Sequence, residues 1–588
     1  MISNDENFAL SWQAAHAELM RQLSYAWPAE TQRTIQQAAT DPPRSLNPLV
    51  GLAPDEVLNT LNELSQHSGN QPKLMAEQSA MLARDLSAIL SGLSERAPSP
   101  KDKRFKHDQW QENPVFRTQM QLYLAWTDSC HGFIERTPAD DDSRDRMRFV
   151  VDLITAAVAP SNSLMSNPAA LEQAAQSGGL SIVAGFWNMV RDLIDNQGMP
   201  ALVDKAAFKV GENLGITPGR VVLKTAMIEL IQYQATTPEV HARPQLLIPP
   251  VVNKPYLMDM APGRSLIEYL LAQGFSVFAL SWRNPGPEHR HWGLNEYVAA
   301  LIEACQAVCD IAESRDLNAH GICGGARIMS AMLGYLAATG NAIIHAASLI
   351  VVNLITDESS PGLFASPEAI AAARKKSAAA GVLDGNDIVR AFTWARPGDL
   401  VWNNWVNNYL LGNPPPAYDV LYWTGDVTRL PARLHADLLD IYTGNHFNQA
   451  GRIRVLGQPI DLAQVTCEKY VVAGNSDHIS PWDRAYQSAQ LFGGDFKFVL
   501  NVGGHIQTII NPPGNPKNRY YTQAGRSSGD ITPEAWLDKA DSLQTTWWED
   551  WSRWIAARSG PLQPAPATLG NKSYPPGVPA PGEYVLET

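Results

Sequence analysis

The chain has 588 residues, of which 45% are apolar and 18% are charged, so its composition predicts a globular protein with more than one domain. A formal net charge of −13 argues against general nucleic-acid binding. The five cysteines are widely scattered and do not suggest a disulfide framework. A polar, acidic start and apolar runs shorter than about 18 residues predict neither a signal peptide nor a membrane span, and hence a cytoplasmic location.

Helical periodicity dominates the first third of the chain. Residues 1–44 are polar and are interpreted as an N-terminal extension, and residues 45–204 are predicted to form an all-helical domain. Its clearest helices are predicted at Leu74–Leu93, Arg146–Val158 and Leu180–Ile194.

Strands and helices alternate from residue 205 to residue 559, which predicts an α/β domain built on a mainly parallel sheet. The predicted strands are one or two within Val221–Tyr233, then Pro244–Pro250, Phe275–Trp282, a strand ending at Cys323, Ala346–Ile355, Cys467–Gly474 and Phe496–Asn501. The predicted helices are Ser265–Gly274, Leu294–Ser314, Ala326–Thr339 and Ala535–Arg558. Trp547, Trp551 and Trp554 form a stripe on the last of these, and core packing is its expected role.

Two segments interrupt or follow this pattern. Residues 360–455 are rich in Trp, Asn, Tyr and Pro and are interpreted as an irregular cap or lid inserted into the α/β domain. Residues 560–588 are rich in proline and are predicted to be an extended tail.

Cys323 lies between a predicted strand and a predicted helix, at the centre of Gly321-Ile-Cys-Gly-Gly325. A nucleophile elbow needs this pattern, because the sharp turn leaves no room for side chains two residues before and after its centre. The start of the following helix favours a thiolate. An inert buried thiol is the alternative, since short glycine patterns also arise by chance.

Two further residues follow later predicted strands. Asp477 lies after the strand at Cys467–Gly474, and His505 follows Phe496–Asn501. The carboxyl ends of parallel strands meet at one edge of a sheet, so a Cys323–His505–Asp477 triad is predicted, in which His505 is the base and Asp477 orients its ring. The alternatives are a turn-forming aspartate and a structural histidine.

The N–H of Gly324 and a second N–H after Pro249 are the predicted oxyanion donors. Pro250 has no N–H, so Val251 or Val252 is expected to supply the second.

Other polar residues near these motifs are given structural roles. His478 is interpreted as a positioning residue, and His320 is expected to face a neighbouring strand. Cys305 and Cys309 are four residues apart on one helix, and without a nearby His or Cys they are assigned to the core rather than to a metal site.

The motifs together resemble those of polyhydroxyalkanoate synthases. The matching segments are Leu46-Asn-Pro48, Arg104-Phe105 with Trp110, Ser166-Asn-Pro168, His241-Ala-Arg-Pro244, Asn253-Lys254, Ser281-Trp-Arg-Asn-Pro285, Arg396-Pro-Gly-Asp-Leu-Val-Trp402, Asn408-Tyr-Leu-Leu-Gly-Asn413, Tyr422-Trp-Thr-Gly-Asp426, Asp477-His478, Gly504-His505 and Pro581-Gly-Glu-Tyr584. The segments Thr428-Arg-Leu-Pro431, Gly504-His-Ile-Gln507 and Asn511-Pro-Pro-Gly-Asn-Pro516 are similar to the class II, medium-chain-length branch. Gly324 and Ala326 depart from that branch, which usually has Ser and Gly there.

The resemblance implies an α/β-hydrolase fold with a cap, preceded by an all-helical N-terminal domain, and assigns Cys323, Asp477 and His505 to catalysis. It implies polymerisation of (R)-3-hydroxyacyl-CoA through a covalent cysteine thioester, with release of CoA and no metal or other cofactor. It also implies a cytoplasmic homodimer at the surface of polyhydroxyalkanoate granules, together with granule-coating proteins.

Alternative functions remain open at this point. A thioesterase or depolymerase would use the same triad, and a catalytically silent granule scaffold would keep the fold. Arg396 and the pair Trp282-Arg283 could contact CoA, although ordinary structural pairing is the simpler expectation.

Overall fold

The computed structural model describes residues 46–100, 102–356, 362–394, 397–523 and 531–588. The predicted extension at residues 1–44 and the CoA candidate Arg396 lie outside these residues. The chain divides into two units. The first contains residues up to Lys205 together with Gly362–Ala369 and Asp387–Tyr418, and the second contains Ala206–Pro361, Ile370–Asn386 and Asp419–Thr588.

The first unit is helical, as predicted. Its N-terminal helices are Pro54–Asn70, Pro72–Leu90, Gln109–Glu112, Pro114–Arg136, Asp141–Ala157, Pro168–Gln176 and Leu180–Asp195. Several begin at a side-chain cap: Asn113, Asp140 and Asn167 accept hydrogen bonds from N–H groups in the first turn. Proline follows Asn113 and Asn167 directly, at the first helical position, where a backbone N–H would have no partner within the helix.

Aromatic packing fixes part of this unit. The Phe105 and Trp110 rings meet edge to face with centroids 4.9 Å apart, and both residues are buried. Arg104 donates to the Tyr123 hydroxyl at 2.7 Å and to Asp102. These residues belong to the family-like motif Arg104-Phe105 with Trp110, so the motif has a structural role here.

The segment 360–455 is largely helical, whereas an irregular insertion was expected. Its helices are Pro367–Ala380, Gly385–Trp394, Gly398–Trp402, Asn403–Trp405, Val406–Leu410, Asp419–Gly425 and Ala432–Thr443. Gly398–Trp402 and Val406–Leu410 are π-helical, and their wider turns hide the 3.6-residue period in the sequence.

Part of this segment packs with the N-terminal helices. Asn188 donates to the carbonyls of Asn408 and Asn413 at 2.9 and 3.0 Å, and Tyr409 donates to Asp192 at 2.8 Å. Residues 387–418 therefore belong to the helical unit. The function of residues 360–455 as a cap, and the predicted domain limits, stay predictions.

A ten-stranded sheet forms the centre of the second unit. In chain order its strands are β1 (Gly219–Lys224), β2 (Ile228–Tyr233), β3 (Gln245–Ile248), β4 (Val277–Trp282), β5 (Leu317–Ile322), β6 (Ile344–Ile350), β7 (Glu468–Gly474), β8 (Phe496–Asn501), β9 (Tyr520–Thr522) and β10 (Asp541–Leu543). Their order across the sheet is β1-β2-β4-β3-β5-β6-β7-β8-β9-β10. Strands β3 to β8 run parallel to their neighbours among themselves, which confirms the mainly parallel sheet.

Burial explains why these strands read as short apolar runs. All residues of β2, β3, β4 and β5 are buried, as expected where helices cover both faces of a parallel sheet. The helices of this unit outside residues 360–455 are Leu266–Ala272, Leu294–Ala312, Gly324–Ala338, Trp482–Gln490, His505–Ile509, Pro533–Leu537 and Trp547–Ala556.

The single final helix predicted at Ala535–Arg558 is wrong. The chain instead forms the helix Pro533–Leu537, the edge strand β10 and the helix Trp547–Ala556. The Thr546 hydroxyl accepts the N–H of Trp548 and starts the second helix, so the helical pattern is interrupted at a cap. Core packing of the tryptophan stripe is confirmed for Trp547 and Trp551, which are both 0% exposed.

The proline-rich tail is anchored to the second unit. Leu562–Pro564 pairs antiparallel with the short strand Glu239–His241. The carboxylate of Glu229, which is fully buried in β2, accepts the N–H groups of Glu583 and Tyr584 at 2.8 and 2.9 Å. Among the described residues, no helix is long and apolar enough to cross a membrane.

Candidate active site

Cys323 occupies the turn between β5 and the helix Gly324–Ala338. Its backbone has φ 51° and ψ −123°, a strained conformation for a residue with a side chain. A Cβ on Gly321 would lie 2.5 Å from the Cα of Ala326, and one on Gly325 would lie 2.5 Å from the carbonyl oxygen of Ile248. The predicted elbow is therefore present, with glycine at the two positions that tolerate no side chain.

The two atypical elbow residues fit without strain. A Cβ on Gly324 would make ordinary contacts, 3.4 Å from Val251 Cγ2 and 3.6 Å from Val251 N. Ala326 is fully buried behind Gly321. The departures at Gly324 and Ala326 therefore leave the turn itself intact.

The structure brings Asp477 and His505 to the same edge of the sheet as Cys323. Asp477 follows β7, and its Oδ2 accepts a hydrogen bond from His505 Nδ1 at 2.7 Å. Its Oδ1 accepts the N–H groups of Ile479 and Ser480, both at 2.9 Å. His505 follows β8 and interacts with the Cys323 thiol, toward which its Nε2 is the remaining nitrogen. Both Asp477 and His505 are buried, at 4% and 7% exposure.

Electrostatics at this site favour a thiolate–imidazolium pair. Burial opposes ionisation of Cys323, but the charge and hydrogen bond of His505, the charge of Arg327 and the Gly324 N–H outweigh it, so the pKa of the thiol lies below its ordinary value. Burial also opposes protonation of His505, yet Asp477 and Cys323 raise its pKa well above the ordinary value. The three side chains can thus supply a nucleophile, a base and an orienting carboxylate, as predicted; their catalytic roles remain predictions.

The predicted oxyanion donors lie beside the elbow. The Gly324 N–H lowers the pKa of the Cys323 thiol. Within the described part of the chain, the Val251 N–H donates no backbone hydrogen bond. The Val251 and Val252 carbonyls accept from the Thr428 hydroxyl and N–H at 2.9 and 3.0 Å, which holds this loop in place.

Two residues of the sequence analysis have the structural roles expected for them. His320 is fully buried and contacts Ser348 of the neighbouring strand β6 through Nδ1 at 2.9 Å. Arg283 contacts Glu587 at 3.2 Å and lies over the Tyr584 ring, so it is engaged in structural pairing.

Cys305 and Cys309 are buried in the helix Leu294–Ala312, as expected for core residues. Burial raises the pKa of the Cys309 thiol to about 12.

Sequence reasoning missed Arg327, which lies one helical turn after Cys323. Its Nη2 donates to the Asn353 carbonyl at 2.9 Å, and its guanidinium carbon lies 5.7 Å from the Tyr442 ring centroid. Its position at the start of the helix predicted after the elbow could have indicated it. No sequence signal points to Asn353 or Tyr442, because both come from distant segments.

Comparison with known families agrees with this architecture. Residues 101–270 match the model described as the poly-beta-hydroxybutyrate polymerase (PhaC) N-terminus, and residues 258–512 match the alpha/beta hydrolase fold. The second match confirms the fold class of the catalytic unit. Among solved structures, a thioesterase domain from the curacin biosynthetic pathway overlaps 50% of this chain and 94% of its own, at 17% identity and a TM-score of 0.30.

Curated relatives match almost the whole chain. Poly(3-hydroxyalkanoate) polymerase 2 of Ectopseudomonas oleovorans is 45% identical over 92% of this chain and 96% of its own length. Poly(3-hydroxyalkanoate) polymerase 1 of the same organism is 42% identical over 94% and 98%. The polymerase subunit PhaC of Cupriavidus necator is 35% identical over 85% and 86%. With this extent of similarity, and with a nucleophile elbow in place, the chain belongs to the poly(3-hydroxyalkanoate) polymerase family and is an enzyme of the acyltransferase type.

Proposed function

We propose that this chain polymerises (R)-3-hydroxyacyl groups from their CoA thioesters into a polyester through a covalent thioester on Cys323. The observation that carries the proposal is the hydrogen bond of 2.7 Å between Asp477 Oδ2 and His505 Nδ1, with His505 acting on the Cys323 thiol at a strained elbow. Relatives named poly(3-hydroxyalkanoate) polymerases over nearly the full length support the same reaction.

In the first half-reaction the Cys323 thiolate attacks the carbonyl carbon of the CoA thioester. The new S–C bond forms as the bond from that carbon to the CoA sulfur breaks, and His505 gives its proton to the departing CoA thiolate. The negative charge on the carbonyl oxygen would be met by the N–H groups of Gly324 and Val251.

In the second half-reaction a 3-hydroxyl group attacks the acyl group on Cys323. His505, now neutral, takes the hydroxyl proton while Asp477 orients its ring and stabilises the imidazolium. An ester forms and the Cys323 thiolate is released. A thioester intermediate keeps this transfer to an alcohol downhill, whereas a serine ester would lose most of the driving force; this favours polymerisation over simple hydrolysis.

Incubation of the full chain with 3-hydroxyacyl-CoA tests the proposal. We expect free CoA together with insoluble polyester, and a peptide containing Cys323 that carries an acyl adduct. Cys323→Ala should lose about a thousandfold or more of the CoA release. Cys130→Ala is the matched control, since Cys130 is also a half-buried thiol but lies in the helical unit.

The outcomes separate the alternatives. Free 3-hydroxy acid without polymer would identify a thioesterase or depolymerase. Normal granule binding by Cys323→Ala, with no CoA release by the unaltered protein, would identify a silent scaffold.

Medium-chain monomers are the proposed substrates, on the basis of the class II motifs at Thr428–Pro431 and Gly504–Gln507. A panel of C4 to C12 CoA esters tests this preference, and faster turnover of C4 than of C8 to C12 would contradict it.

The proposed working form is a homodimer at the surface of polyester granules in the cytoplasm, alongside granule-coating proteins. Family membership supports this form. Co-sedimentation with isolated granules and the mass of the free protein in solution test it, and a monomer that stays in the supernatant would contradict it.

A further inference from the structure

Arg327 is a cation beside the nucleophile. It lies in the first turn of the helix Gly324–Ala338, where its backbone N–H donates to the Cys323 carbonyl at 3.3 Å, and its charge acts on the thiol. Both side chains are half-buried. A positive charge is therefore fixed near the sulfur in addition to that of His505.

The guanidinium group is held by neutral groups. Its Nη2 donates to the Asn353 carbonyl at 2.9 Å and reaches Asn353 Oδ1 at 3.4 Å, and the Tyr442 ring lies under it. Among the residues that the structure describes, no carboxylate forms an ion pair with Arg327. A half-buried cation without a counter-ion is costly, so an anion is expected at this position.

Asn353, which holds Arg327, also contacts Ser480, which holds Asp477. Asn353 Oδ1 lies 3.4 Å from the Ser480 hydroxyl, and the Ser480 N–H donates to Asp477 Oδ1 at 2.9 Å. Asp477 in turn holds His505. The same loops thus fix both cationic side chains, Arg327 and His505, relative to Cys323.

We propose that Arg327 is a second positive partner of the Cys323 thiolate, which keeps the sulfur ionised and stabilises it as the leaving group when the acyl chain is transferred to a hydroxyl. In that step His505 takes up the hydroxyl proton while the S–C bond breaks, so the electron pair returns to a sulfur that faces both cations. Arg327 is a positioning and charge-supplying residue, and the inference rests on the proposed role of Cys323 as the nucleophile.

The charged and titratable groups around the sulfur define what the test must separate. His505 and Arg327 act on the thiol directly, Asp477 lies behind His505, and Tyr442 faces Arg327. Of these, Arg327 alone keeps its positive charge throughout the neutral range, because a guanidinium does not titrate there. Removing its charge should shift the thiol titration without changing the hydrogen bond from His505 to Asp477.

The test is the pH dependence of iodoacetamide alkylation of the full chain, followed on the peptide that contains Cys323. Arg327→Gln retains a donor for the Asn353 carbonyl but removes the charge. We call the range in which alkylation slows as the thiol takes up its proton the acid limb of the pH profile. Arg327→Gln should move this limb upward by about one pH unit, so that alkylation at a pH below the limb slows about tenfold. The preference for anionic iodoacetate over iodoacetamide should fall several-fold. Arg327→Lys should restore more than half of the limb shift.

The controls separate charge from folding. Cys467 is a second half-buried thiol in the same unit, and its alkylation profile should not move. Arg220→Met makes a charge change of the same sign at an exposed position of the strand β1 and should leave the Cys323 limb in place. If Arg327→Gln folds poorly, Arg327→Met gives a second neutral variant.

An unmoved limb in Arg327→Gln, or a Lys variant that matches the neutral ones, would overturn the role of Arg327 and leave the proposed function standing. If the peptide with Cys323 is no more reactive than that with Cys467 in the unaltered protein, the nucleophile assignment fails instead.

Discussion

The close packing at the elbow predicts unequal effects at two adjacent glycines. A methyl group at Gly325 would lie 2.5 Å from the Ile248 oxygen, 2.8 Å from the Pro249 carbonyl carbon and closer still to the Pro249 oxygen. All three are backbone atoms, so the segment that leads to Val251 must move. Overpacking of this kind costs about 1–3 kcal/mol, and the better helix propensity of alanine returns up to ~1 kcal/mol. We therefore expect Gly325→Ala to be destabilised by ~1–2 kcal/mol.

Thermal unfolding and CoA release measure this effect. At about 1–2 °C per kcal/mol for a unit of this size, the melting temperature of Gly325→Ala should fall by about 1–3 °C. Displacement of the Val251 N–H should lower CoA release by about 10²-fold. Gly324→Ala is the matched control, because its Cβ would make only ordinary contacts with Val251, and it should stay within a few-fold of the unaltered enzyme. If Gly325→Ala retained both its melting temperature and its activity, the steric reasoning would be refuted.

Three other substitutions test different parts of the molecule. Asp477→Asn should reduce CoA release by about 10²–10⁴-fold with little change in melting temperature, because an amide NH2 in place of Oδ2 donates to His505 Nδ1 and fixes the opposite tautomer; activity within tenfold would contradict this. Burial lowers the pKa of His320 to about 3, so below its ordinary value near 6.5 the unfolded chain takes up a proton that the folded chain does not, and stability falls as the pH falls. The melting temperature of His320→Gln should therefore fall less steeply than that of the unaltered protein as the pH is lowered from 7 to 5. Equal slopes of melting temperature against pH would contradict this. Glu587→Ala removes acceptors for Arg283 Nε at 3.2 Å and for the Asn284 N–H at 3.1 Å on partly exposed groups. We therefore expect a loss of no more than about 1 kcal/mol, measured as a fall in melting temperature of at most about 2 °C, and a larger fall would contradict this.

The parallel sheet and the meeting of Cys323, Asp477 and His505 were accessible from the sequence. Each of the three follows a short apolar run, and the geometry of parallel strands brings such positions to one edge whatever their separation along the chain. The surroundings of Arg327 were not accessible, because Asn353 and Tyr442 reach it through tertiary contacts that leave no local pattern.

Two errors in the fold prediction have local causes. The π-helical turns at Gly398–Trp402 and Val406–Leu410 depart from the usual helical period, so a helical segment was interpreted as irregular. The helix predicted through Ala535–Arg558 failed because Asp541–Leu543 pairs with β9, a partner that periodicity alone does not reveal.

The candidate site is assembled from residues 323, 477 and 505, so its arrangement exists only after distant parts of the chain have come together. During synthesis Cys323 leaves the ribosome long before His505 has been made. The thiol of that partial chain has no imidazole partner, and its ionisation is that of an ordinary cysteine. If Cys323 is the nucleophile proposed above, its reactivity is acquired only on completion of folding, because a distant part of the chain supplies the imidazole.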